Sequence, residues 1–108
     1  MHFSEYQKLA MASKSKDLLG DAQIVNAVMG LNGEAGEVID LIKKHYFHGH
    51  ELDKEKVKLE LGDVLWYLAE CADALGLELD DIAKANIVKL KARYPQGFSC
   101  ERSINRED

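Results

Sequence analysis

An all-α, four-helix-bundle-type single domain, oligomerising through its long helices, is the fold this sequence predicts, on three observations. Apolar residues recur every three or four positions over two long stretches, the single proline stands at position 95, and no segment reads as a strand. At 108 residues the chain suffices for one hydrophobic core but not two. The domain is expected to fill residues 1–98, with 99–108 as a polar C-terminal tail.

Taken in order, a first amphipathic helix is predicted from about Ser4, as its N-cap, to about Lys14, followed by the loop SKSKDLLGD. From Asp21 the residues Ile24, Val28, Leu31, Ala35, Val38 and Ile42 form a seam with spacings 4, 3, 4, 3, 4. That seam runs through Gly30, Gly33 and Gly36 without interruption, so GLNGEAGE reads as helix although each glycine costs about 1 kcal/mol relative to alanine. Gly49 is the expected stop. Asp53 is placed to cap a third helix carrying Val57, Leu61, Val64, Leu68, Ala72 and Leu75 on one face, with Gly76 as its C′ residue. At about 1.5 Å per residue that helix spans roughly 30 Å. Asp80 is the expected cap of a last helix, DIAKANIVKLKARY, which Pro95 ends; Phe98 is the one buriable anchor of the tail. Two helices this long in so short a chain expose apolar flanks, which points to burial in a homo-oligomer, a homodimer or a dimer of dimers.

Composition narrows the function. The formal net charge is −5 with no basic cluster, which disfavours nucleic acid or an anionic membrane as partner. No apolar run approaches the ~20 residues of a membrane span, and MHFSEYQKLAMASKSK lacks the apolar core of a signal peptide, so a cytoplasmic protein is expected. Two cysteines, Cys71 and Cys100, are too few for a disulfide scaffold and read as free thiols.

The chemistry lies in two acidic pairs. Glu34 and Glu37 are three apart on the second helix, and Glu60 and Asp63 are three apart on the third. Residues three apart share a helix face, so each pair can aim two carboxylates at one point beside its apolar seam. A lone Glu-x-x-Glu in an acidic chain is ordinarily solvated charge. Two pairs on matching flanks can converge, and four gathered carboxylates stay ionised only if a cation compensates them. An all-oxygen set suits Mg²⁺, with Mn²⁺ as the alternative. Because helical side chains tilt toward the N-terminus, Glu34 lies over Gly30 and Glu37 over Gly33, leaving bare backbone for metal, water and substrate oxygens. Gly36 is expected to permit close helix approach. No strand precedes these glycines and no G-K-[ST] follows, which argues against a phosphate-cradling loop. Glu51, Glu55, Glu70, Glu78 and Asp81 lack such pairing and read as plain surface charge.

Asn86, Lys89 and Arg93 form one stripe on the last helix and could bind successive phosphates, with Lys43 and Lys44 as weaker candidates. Tyr67, one turn beyond Asp63, is the best placed aromatic to stack on a base, whereas Trp66 reads as packing. His45, His48 and His50 have no second Cys or His cluster to complete a zinc site. The Glu-x-x-His signature of di-iron bundles is also missing, since Glu37 and Asp63 stand where it needs histidine.

The segments GLNGEAGEVIDLIKK, ELGDVLWYLAECADALGLELDDIA and NIVKLKARYPQGF resemble the MazG-like nucleotide pyrophosphohydrolases of the all-α NTP pyrophosphatase superfamily. The resemblance covers roughly residues 22 to 98. It implies a dimeric or dimer-of-dimers helical bundle using Mg²⁺ to cleave nucleoside triphosphates to monophosphate and pyrophosphate, a housecleaning activity on the nucleotide pool. Carried over by position, Glu34, Glu37, Glu60 and Asp63 match the metal-binding acids, and Asn86 and Lys89 match phosphate contacts, with Arg93 a looser match. Some members carry a further acid where this chain has Gly33. Either Glu34 or Glu37 would take the proton of the attacking water. The alternative is a non-catalytic helical module that binds nucleotide or a protein partner, and a third reading is a pyrophosphatase for another phosphoribosyl compound.

Overall fold

In the computed structural model, which describes residues 1–106, five helices follow one another: α1 (Phe3–Met11), α2 (Asp21–His48), α3 (Lys54–Ala74), α4 (Leu79–Arg93) and α5 (Cys100–Ile104). Among the described residues there is no strand, only an isolated bridge between Pro95 and Gly97. Among the described residues no helix is long and apolar enough to cross a membrane.

Helix ends set by local chemistry fall where the sequence puts them. Gly49, at φ 74°, closes α2, a conformation that costs glycine nothing. Asp53 caps α3, its Oδ1 accepting from the N–H groups of Glu55 at 3.1 Å and Lys56 at 3.2 Å. At the other end Leu77 N–H donates to Ala72 O at 2.8 Å and Gly76 N–H to Asp73 O at 3.1 Å, a Schellman closure around Gly76 at φ 70°. The helix α4 stops at Arg93, two residues before Pro95.

Other ends differ from expectation. The N-cap of α1 is His2 rather than Ser4, and α1 stops at Met11. Asp80 is not the cap of α4; it lies inside the first turn and pairs with Lys84 at 3.0 Å. The freed N–H at the start of α4 finds its partner on α1 instead. Leu79 N–H donates to Gln7 Oε1 at 2.7 Å, while Gln7 Nε2 donates to Leu77 O at 2.9 Å. Gln7 is buried, so one amide satisfies two backbone groups of the α3–α4 turn. Phe98 is not an anchor: it is 72% exposed, with its ring on Tyr94. Beyond it Ser99 caps the short α5, its hydroxyl accepting from Arg102 N–H at 3.0 Å. Residues 107 and 108 of the expected tail lie outside the described part.

The long helices α2 and α3 pair side by side, with α1 packed on α3 and α4 on α1 and α3. The core is small: Ala10, Ala69, Ala72 and Leu79, with Tyr6, Met11 and Trp66 against it. Trp66 Nε1 donates to Ala10 O at 3.1 Å and to Ser13 Oγ at 3.0 Å, tying the end of α1 to α3. The apolar seams are only partly covered, leaving Val28 47%, Leu61 52% and Leu75 52% exposed. The chain exposes 8259 Å², against about 6,000 Å² from the scaling of compact monomers of this mass. Its radius of gyration is 16.9 Å, where about 13 Å is usual for this length.

Candidate metal centre

Residues facing each other between α2 and α3 are polar or small rather than the apolar seam. Gln23 Nε2 donates to Asp73 Oδ2 at 3.0 Å, where Lys14 Nζ also binds at 2.5 Å. Asn26 Nδ2 donates to Glu70 Oε1 at 2.7 Å. Next along, Gly30 lies under the ring of Tyr67, and then Glu34 meets Glu60 and Asp63. Each step of three or four residues toward the C-terminus of α2 is matched by a step of three or so toward the N-terminus of α3. Two antiparallel helices in constant register produce this pattern. At 100° per residue the apolar seam of each helix lies about a third of a turn round from this stripe, which is why it stays partly uncovered.

Glu34, Glu60 and Asp63 can each offer a carboxylate oxygen such that all three lie within 4.8 Å of one another. Glu34 and Glu60 are half-buried and Asp63 is exposed. The Glu34 carboxyl is held above its ordinary range, first by a hydrogen bond to Glu60, then by desolvation and by the negative charges of Asp63, Glu60 and Glu37. Crowded carboxylates favour keeping a proton, and a cation relieves the same repulsion. Three oxygen donors from two helices, with open solvent on one side, fit a hard divalent ion that retains free coordination positions. Glu37 is exposed and does not join the three, although its charge reaches Glu34 and Lys44.

The glycines divide into two kinds. The space over Gly30 is filled, because a Cβ built there would fall within the Tyr67 ring. Gly30 is therefore a seat for an aromatic and not bare backbone under Glu34. Gly33 and Gly36 have nothing within 4 Å of such a Cβ, so the bare surface exists at Gly33, and Gly36 is not a point of close helix approach within the chain. Tyr67, pinned on Gly30, also meets Trp66 edge to face with ring centroids 5.1 Å apart.

The α4 residues lie on a helix packed against α1 and α3. Asn86 and Lys89 are exposed and Arg93 is half-buried. Among the described residues no hydrogen bond or ion pair joins Asn86 or Lys89 to the three acids. Lys44 is engaged by Asp40 at 2.9 Å, which weakens its case as a phosphate contact. His45 Nδ1 meets the His50 carbonyl at 2.9 Å, and the only group among the described residues able to hold a metal is the acidic one.

Two features were missed from sequence. Tyr6 on α1 comes near enough to Asp63 that, after burial, the aspartate charge raises its phenol. Glu70 is not surface charge: it is 1% exposed and the largest fully buried side chain among the described residues. Its position, two turns after Asp63 on the same stripe, was the available signal for the second of these.

Comparison with known proteins bears on the same segment. The MazG nucleotide pyrophosphohydrolase domain family matches residues 24–98, which hold all four acids and the α4 stripe. The chain is also similar to the gene 37 protein of Mycobacterium phage L5, with 31% identity over 114 residues covering 98% of this chain and 100% of that protein. No solved structure matches it at a significant level.

Proposed function

The chain belongs to the MazG nucleotide pyrophosphohydrolase family, and from that premise we propose that it is a Mg²⁺-dependent enzyme that cleaves nucleoside or deoxynucleoside triphosphates to the monophosphate and pyrophosphate. The observation that carries the reading is the convergence of Glu34 from one helix with Glu60 and Asp63 from another, their oxygens within 4.8 Å. A non-catalytic scaffold gains nothing from carboxylates that raise one another's proton affinity.

Glu34, Glu60 and Asp63 would hold the divalent cation, with Mn²⁺ as a substitute. Bound there, the cation supplies positive charge to the phosphate oxygens and acidifies water. Glu37, beside the trio but outside it, is free to accept the proton of a water attacking the α-phosphorus. Asn86, Lys89 and Arg93 would bind the phosphate chain, the two cations stabilising charge on departing pyrophosphate. Tyr67, fixed edge-on against Trp66, borders the acids and offers an apolar wall to the nucleoside.

A homodimer or dimer of dimers belongs to this proposal. The chain exposes 8259 Å², an excess over a compact monomer of about 2,200 Å², and a standard interface takes only about 800 Å² from each partner. On the helical wheel the uncovered parts of both seams fall on one side of the α2–α3 pair, so a second copy laid there would bury Val28, Leu61 and Leu75 together. Light scattering on the purified chain should report at least a dimer, and Leu61→Glu should shift it toward monomer.

An assay over the common NTPs and dNTPs with Mg²⁺, resolving monophosphate plus pyrophosphate from diphosphate plus phosphate, tests the activity. Formation of monophosphate and pyrophosphate in equal amounts is expected. Stabilisation by Mg²⁺ and nucleotide together with no product would instead favour a nucleotide-binding module.

A further inference from the structure

The Asn26–Glu70 pair between α2 and α3 has no part in the chemistry above, yet Glu70 is the most enclosed polar side chain among the described residues. Glu70 is 1% exposed, and its Oε1 accepts from Asn26 Nδ2 at 2.7 Å. A buried carboxylate is costly unless it is well bonded, and an apolar residue of similar size would often serve stability as well or better. What a polar pair adds is direction: it is satisfied in one alignment of two helices and orphaned in the others.

The alignment matters because the three acids come together in only one register of α2 on α3. Beside the pair stand Gln23, which donates to the partly exposed Asp73 at 3.0 Å, and the Tyr67 ring seated on Gly30; Glu70 is the one fully enclosed acceptor of the stripe. A slip of one helical turn would move α2 along α3 by about 5.4 Å. The three acids offer oxygens within 4.8 Å of each other, so that slip would carry Glu34 out of reach of Glu60 and Asp63. It would also place Asn26 away from Glu70 and leave the carboxylate buried without its donor.

We propose that Asn26 and Glu70 are positioning residues: their hydrogen bond sets the register that brings Glu34 from α2 against Glu60 and Asp63 from α3. The proposal rests on the reading that these three acids hold the divalent ion. It assigns Asn26 and Glu70 no contact with metal or nucleotide.

The test is Mn²⁺ binding to the full chain, read from the electron paramagnetic resonance signal of free Mn²⁺, with thermal melting followed by circular dichroism on every variant. Asn26→Asp keeps the volume and sets two carboxylates against each other; Mn²⁺ affinity should fall about tenfold, the scale of lost metal-site support. Its added negative charge alone would tighten cation binding, so weakening cannot be a charge effect. Adding Glu70→Gln to Asn26→Asp restores the bond with donor and acceptor exchanged between the helices, and affinity should return to within about twofold of wild type. The apolar pair Asn26→Leu with Glu70→Leu should melt as high as wild type or higher, yet bind Mn²⁺ about tenfold more weakly. The isosteric double variant and the apolar pair each carry the test without the other.

Wild-type Mn²⁺ affinity in the folded apolar pair, or no recovery in the folded isosteric double variant, would overturn the proposal. Wild-type binding that Glu60→Gln does not reduce would overturn it together with the metal site. If the Mn²⁺ pattern holds but no triphosphate is cleaved, the positioning role stands and the enzymatic reading fails.

Discussion

Gly30 and Gly33 stand three residues apart in one helix, and alanine should act on them with opposite sign. By propensity alone each substitution favours the helix by about 1 kcal/mol. At Gly33 a Cβ meets nothing within 4 Å, so Gly33→Ala should realise most of that gain. At Gly30 the Cβ would fall within the Tyr67 ring, and the ring must leave or the helices must part. Forcing an extra carbon into a packed contact costs about 1–3 kcal/mol, and expelling a half-buried aromatic forfeits part of the roughly 1.5–3 kcal/mol its burial contributes. The propensity gain offsets less than half of the combined loss, leaving Gly30→Ala destabilised by about 1–3 kcal/mol. For a domain of this size each kcal/mol moves the melting temperature by about 4–8 °C. Thermal melts of the two variants at one protein concentration therefore diverge by ten degrees or so, in opposite directions from wild type. In a Tyr67→Ala background the obstacle is gone, and Gly30→Ala should become stabilising, a coupling that a double-mutant cycle reads directly. Two variants that shift alike, or a Gly30→Ala penalty that persists without Tyr67, would refute the argument.

Glu60→Gln should lower divalent-dependent turnover by about a hundredfold or more while far-ultraviolet circular dichroism stays unchanged, because the ligand is lost without a change of volume. The raised Glu34 carboxyl gives a pH signature. A carboxyl whose folded pKa exceeds its unfolded one adds stability that is full below the ordinary glutamate range and is lost as pH rises through the raised value. In metal-free protein the melting temperature of wild type minus that of Glu34→Gln should thus increase as pH falls from about 7.5 to about 5. A flat difference would contradict the crowding of these acids. Gln7→Leu removes both partners of the α3–α4 turn, Leu77 O and Leu79 N, from a buried site. Two unsatisfied backbone groups should cost about 2–4 kcal/mol in denaturant unfolding, and amide exchange at Leu79 should accelerate with it.

How much of this was legible in the sequence depended on the distance over which each feature is decided. The ends at Gly49, Asp53, Gly76 and Pro95 follow from contacts within one turn, so local residue types were sufficient. The start of α4 was not legible, because the acceptor for its first N–H is Gln7, 72 positions from Leu79 along the chain. The acidic pairs could be read as two faces from spacing alone. That Glu34, Glu60 and Asp63 gather while Glu37 stays outside required the register of two helices, which period cannot supply.

The amino-acid sequence by itself determined the helical periodicity, the breaks between helices and the presence of two matched acidic pairs, since each follows from neighbours three or four residues apart. Only the tertiary structure decided which stripe of α2 meets α3, and with it the fates of residues that look alike locally. Gly30 is filled by Tyr67 while Gly33 lies open, and Glu70 is buried on Asn26, 44 positions away, while Glu55 faces solvent. The physical reason is that burial and close approach belong to pairs of surfaces. A single helix carries several stripes able to pack, and its partner selects among them.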